Sequence, residues 1–205
     1  MYVRVTQLKV PADQFDVGAQ TFQDRVVPTA RKQPGFGGAV MFTDRERGTA
    51  IGATYWDSID SLNASEEIGV QARLQSAEAA RSEVIDVDRF EIVVFHRAGS
   101  YGRGFSRVNQ LFADPSKLEA GIAFIRDRVV PNVGARNGFQ GLVMGTNRLT
   151  GRSFVTTTWE TAADRTASEP AVRDQREEAG RIFGGTVTVQ NHELVYAELV
   201  ESARV

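Results

Sequence analysis

The pentapeptide Asp-Arg-Val-Val-Pro stands at Asp24–Pro28 and again at Asp127–Pro131, an offset of 127 − 24 = 103 residues. Sliding the chain by that offset sets Arg4–Leu8 (RVTQL) on Arg107–Leu111 (RVNQL). It also sets Pro34–Arg45 on Asn137–Arg148, and Ala64–Glu66 on Ala167–Glu169 (both ASE). Positions 4 to 66 give 23 identities in 63 without a gap. An internal repeat of about 100 residues limits the fold more than any other feature, because each copy must be a domain-sized unit with its own pattern of elements. The register slips by one residue before the last element, where Arg89–Phe95 meets Asn191–Ala197. The repeat therefore predicts two domains, residues 1–98 and 104–205, with a glycine-rich seam over Ala98–Gly104.

Each copy reads the same way. Arg4–Val10 alternates apolar and polar residues and predicts a strand. Ala12–Lys32 carries Phe15, Ala19, Phe22 and Val26 at helical spacing. Pro28 falls late in that helix, where it is expected to kink or loosen the last turns, and Gly35 stops it. Phe36–Thr43 and Thr49–Asp57 read as strands joined by a hairpin. A short helical piece follows, and Ser65 and Ser168 are expected to cap a second helix running to about Arg81 in the first copy. Val84–Phe95 is the last strand. The order β-α-β-β-α-β is the ferredoxin-like unit. Helices cover one face of its four-stranded sheet, yet the other face is also apolar. Two units packed sheet to sheet as an intrachain α+β barrel bury both faces, so the expected fold class is α+β, as a monomeric pseudo-dimer or a homodimer.

Composition narrows the function classes. The net charge of −2 provides no field for nucleic acid or acidic lipid. The arginines are interspersed with acids, as a solvated surface would be. No cysteine is present, which removes thiolate metal sites and a cysteine nucleophile. The longest apolar runs are four to five residues, too short to span a bilayer. The amino-terminal segment lacks signal-peptide architecture. A cytoplasmic protein without nucleic-acid or membrane partners is the expectation.

The motif Pro34-Gly35-Phe36-x-Gly38, with Trp56-Asp57-Ser58 ending the third strand, resembles the antibiotic biosynthesis monooxygenase (ABM) superfamily of dimeric α+β barrels. Gly138, Phe139, Gly141 and Trp159-Glu160-Thr161 repeat it, with Asn137 in place of the proline. The resemblance covers nearly the whole chain, twice. It implies a protein that binds a small apolar or aromatic molecule, with two readings open: a cofactor-independent monooxygenase, or a non-catalytic ligand-binding or stress-associated barrel. The haem-degrading branch is similar at Asn109 on the first strand. On its second helix, however, Ser65 and Ser168 stand at the tryptophan position, and Leu74 and Glu177 at the histidine position. Haem degradation is disfavoured, and no cofactor or metal is expected.

Among candidate site residues, Trp56 and Trp159 recur at the same place, where an indole can wall an aromatic pocket or pack between sheet and helix. Tyr55 and Thr158 could add polar groups. Of the two histidines, His192 lies inside the last strand of the second copy and could serve as a general base if it faced the cavity; Asn109 is the other catalytic candidate. The second copy is the more polar at equivalent positions, with Asn109, Thr156, Thr158, His192 and Tyr196 against Thr6, Ala53, Tyr55, Phe90 and Val94. That asymmetry places the expected active pocket in the second half.

Overall fold

The computed structural model describes residues 1–98 and 102–199; three residues of the predicted seam, 99–101, lie outside the described residues. The chain forms two compact units. Among the described residues one comprises Met1–Phe90 and Glu193–Leu199, the other Glu91–His192.

In the first unit the order is β1 (Tyr2–Lys9), α1 (Phe15–Thr21), α2 (Val27–Arg31), β2 (Phe36–Asp44), β3 (Thr49–Trp56), α3 (Ile59–Ala64), α4 (Glu66–Ala79) and β4 (Glu83–Arg97). The second repeats it as β5 (Gly104–Phe112), α5 (Leu118–Phe124), α6 (Val130–Gly134), β6 (Phe139–Thr146), β7 (Arg152–Trp159), α7 (Ala162–Ala167), α8 (Glu169–Phe183) and β8 (Val187–Leu199). The ferredoxin-like α+β class read from the repeat is the observed one. Hydrogen bonding joins the strands in the order β1-β3-β2-β8-β5-β7-β6-β4 and closes into a barrel. The long strands β4 and β8 each serve both units. Glu193–Leu199 of β8 pairs with β2 in the first unit, and Glu91–Arg97 of β4 pairs with β6 in the second.

The repeated pentapeptide builds a π-turn. Phe22–Val26 and Ile125–Val129 each form one turn of π-helix between two α-helical pieces. The Val27 N–H reaches back five residues to the Phe22 carbonyl, and Val130 does the same to Ile125. In an α-helix, Pro28 would collide with the carbonyl four residues before it. The widened turn just upstream relieves that clash, so the helix runs on to Arg31 and does not fray at Pro28 as expected. Val27 is fully buried against the sheet and Asp24 accepts from the Gln20 amide at 2.7 Å.

The glycine motif is steric. Gly35 has φ +79° and Gly138 φ +70°. A Cβ on Gly35 would stand 2.3 Å from Asp57 Oδ1, and one on Gly138 2.4 Å from Asp164 Oδ2. The Gly35 carbonyl accepts the Asp57 N–H at 2.8 Å, tying the helix stop to the end of β3.

The expected serine caps lie elsewhere. Ser58 and Thr161 cap the short helices, accepting the Ser61 and Asp164 N–H groups at 3.1 and 3.0 Å. Ser65 and Ser168 make no side-chain cap because their hydroxyls are occupied by buried arginines.

Candidate functional site

Each unit has a cavity at the same place, between the outer face of its sheet and its helices. In the first unit, alternate residues of β1 (Arg4, Thr6, Leu8) and β3 (Gly52, Thr54, Trp56) form the floor. The π-turn supplies Phe22 and Val26, and α4 supplies Ile68, Gly69, Ala72 and Arg73. The volume is about 60 Å³, and about 50 Å³ for the equivalent cavity over Arg107, Asn109 and Val155.

Arg4 is 4% exposed. Its Nη2 donates to the Leu62 carbonyl at 2.6 Å and its Nη1 to Ser65 Oγ at 3.1 Å, and Glu66 pairs with it at 2.9 Å. Its guanidinium carbon lies 5.8 Å from the centre of the Trp56 ring. Burial pulls the Arg4 pKa down to about 10, against the opposing pull of Glu66. Arg73 and Arg89 also pair with Glu66, at 2.7 and 2.8 Å. Burial alone would raise the Glu66 carboxyl, but the guanidiniums of Arg89, Arg73 and Arg4 outweigh it and hold it at about 2.

The second unit repeats the frame with a different distribution of donors. Arg107 donates to Ser168 Oγ at 2.9 Å and to the Arg165 carbonyl at 2.6 Å, and pairs with Glu169 at 3.0 Å. Arg176 is bidentate on Glu169 at 2.8 and 2.9 Å and gives its Nε to Asn109 Oδ1 at 2.9 Å. The Asn109 amide in turn donates to the Val155 carbonyl at 3.2 Å.

The sequence candidates fall into two groups. Trp56 lines the first cavity and Asn109 the second. Trp159 is fully buried, its indole N–H held by Thr157 Oγ1 at 3.1 Å, as that of Trp56 is by Thr54. Tyr55 and Thr158 alternate with the lining residues and point to the opposite sheet face, where Thr158 Oγ1 lies 3.2 Å from Ser106 Oγ. His192 is 2% exposed and outside the second cavity's lining, and its carbonyl receives Arg165 Nη1 at 3.5 Å. Sequence reading passed over Arg4, Arg73 and Glu66, which look like ordinary surface charges. Their one visible signal was the repetition of Arg4, Ser65, Glu66 and Arg73 at Arg107, Ser168, Glu169 and Arg176. Among the described residues no helix is long and apolar enough to cross a membrane.

No family model matches the chain. It is similar to the uncharacterized protein Rv2557 of Mycobacterium tuberculosis, 24% identical over 161 residues, covering 78% of this chain and 71% of that protein. A candidate monooxygenase from Fusobacterium nucleatum superposes with a TM-score of 0.71 at 12% identity, over 97% of this chain and 94% of its own. A ferredoxin-fold protein from Listeria monocytogenes related to antibiotic biosynthesis monooxygenases superposes with a TM-score of 0.55 at 8% identity, over 97% of each chain. With its closed eight-stranded barrel, the chain thus has the ferredoxin-like α+β fold of the ABM-related proteins.

Proposed function

We propose that this chain binds a small, largely apolar aromatic molecule in the helix-to-sheet cavity of the first unit. The observation that carries the reading is the composition of that cavity. Apolar side chains of Leu8, Phe22, Val26 and Ala72 face it together with one deeply buried guanidinium, Arg4. Apolar walls with a few fixed polar groups are what a small-molecule site needs. Ile68, 43% exposed, sets the mouth.

Cofactor-independent oxygenation in the same cavity is a second reading, favoured by the description of the Fusobacterium neighbour as a candidate monooxygenase. Among the described residues the lining carries no carboxylate or imidazole. The enzyme would then act on a substrate that ionises readily, with guanidinium N–H groups stabilising the oxyanion that meets oxygen. Asn109 and His192 remain the proposed catalytic pair if oxygenation instead belongs to the second unit.

Calorimetric titration with 2-naphthol tests binding. Saturable uptake that is lost in the cavity-filling variant Ala72→Phe supports the site, and uptake unaffected by that variant removes it. An oxygen electrode with anthrone substrates and EDTA tests the chemistry. Consumption above the spontaneous rate, abolished by Ala72→Phe, supports oxygenation in the first unit. Loss through Asn109→Ala or His192→Ala, with Ala72→Phe still active, moves it to the second.

A further inference from the structure

We infer that the first cavity is an anion-selective site that takes an aromatic molecule by an ionised oxygen, a carboxylate or a phenolate-type oxyanion, and that the second cavity has lost this capacity. The inference rests on the binding reading above and adds the ligand's charge and its unit.

The argument begins with a local excess of positive charge. Three guanidiniums, Arg4, Arg73 and Arg89, converge on the single carboxylate of Glu66. Two of them line the cavity, and both are withdrawn from water: the side chain of Arg4 is 4% exposed and that of Arg73 13%. Poorly solvated like charges repel one another, and an anion placed between them relieves the repulsion.

Unspent donors point the same way. Arg4 Nε is buried without an acceptor. Among the described residues Arg73 makes one side-chain hydrogen bond, from Nη2 to Glu66 at 2.7 Å. Nη1 of Arg4 and Nη1 of Arg73 lie 3.0 and 3.2 Å from the point where a Gly69 side chain would begin. Gly69 thus keeps open the space beside both guanidiniums. A planar carboxylate matches two adjacent guanidinium edges, and such charge-assisted bonds are the strong ones.

In the second unit both equivalent glycines are replaced by valines that line its smaller cavity. Val172 stands where Gly69 does, and Val155 where Gly52 does. Asn191 replaces Arg89 once the one-residue slip is allowed for. All three guanidinium nitrogens of Arg176 are committed, Nε to Asn109 and Nη1 and Nη2 to Glu169. Arg165, a further cation there, gives Nη1 to the Ser106 and His192 carbonyls and lies outside the cavity lining.

The test is calorimetric titration of the full chain with 2-naphthoate and, separately, with the isosteric neutral 2-naphthamide at pH 7. The expected result is one site per chain, with naphthoate bound about tenfold or more tightly than the amide. Arg73→Gln should cut that preference severalfold, the remainder resting on Arg4, and Arg73→Lys should restore part of it. Gly69→Val, which copies the second unit, should weaken naphthoate more than the amide. Equal affinity for the two probes, or a preference undiminished in Arg73→Gln, overturns the anion site and leaves the binding reading standing. Failure of both probes to bind overturns the binding reading and this inference together.

Discussion

Glu66 is the residue on which the buried polar frame of the first unit turns. Replacing it by Gln leaves Arg4 buried without its counter-charge, and removing one partner of a buried pair costs about 3–5 kcal/mol. Urea unfolding of Glu66→Gln at neutral pH checks this. The sign with pH follows from the lowered carboxyl. The group is held at about 2 against an ordinary 4.5, so its contribution is complete above pH 4.5 and is lost as pH falls through 2. The stability gap between the wild type and Glu66→Gln should be flat from pH 7 to 4.5 and close below that. A gap that persists at pH 2 would detach Glu66 from this role. Ser65 illustrates why such residues are hard to read locally. A serine before two glutamates has the form of a helix cap, but its hydroxyl serves Arg4, which is 61 positions away in the chain.

At the scale of elements, the turns carry separable costs. Gly48 has φ +67°, and a side chain there would meet only the Val10 carbonyl at 3.4 Å. Gly48→Ala therefore pays backbone strain alone, about 1–2 kcal/mol. Gly35→Ala carries the same strain and also drives a Cβ to 2.3 Å from Asp57 Oδ1 and Ser61 Oγ. Its loss in denaturant unfolding should exceed that of Gly48→Ala, and equal losses would show that the Asp57–Ser61 turn yields freely. The helix with Pro28 was legible in outline, since spacing gave its existence and proline its irregularity. The form of the irregularity was not legible, because a π-turn and a kink both answer the same missing N–H. What selects the π-turn is the packing of Phe22 and Val26 over the cavity with Val27 on the sheet.

For the whole molecule, the strand halves make a testable statement. The fragment 1–98 lacks Glu193–Leu199, so the edge of β2 from Gly38 to Thr43 loses its partner strand. It retains Glu91–Arg97, the repeat-equivalent of the missing piece. An unpaired edge recruits a strand of suitable pattern, so the fragment should elute as a homodimer in light-scattering chromatography. A stable monomer would mean that the borrowed strand is dispensable. The intact chain should unfold in one cooperative transition, because neither unit has a complete sheet without a strand end from beyond its own repeat.

The sequence by itself determined the repeat, the order of elements and the α+β class, because these follow from periodicities and turn chemistry written over neighbouring residues. It also singled out Trp56 and Asn109 as candidates, through their places in the repeat and on the strands, without giving the sheet face they occupy. Tertiary structure alone decided the rest. Whether Tyr55 or Trp56 faces the helices depends on register, and a one-residue shift inverts every side chain on the strand. Asn109 on β5 takes Arg176 Nε of α8 at 2.9 Å, whereas Thr6 stands at the equivalent position of β1 opposite Arg73, and that difference is made across two elements. The charge excess around Glu66 arises from residues at positions 4, 66, 73 and 89, and electrostatic energy depends on their distance in space, which the chain's linear order does not contain.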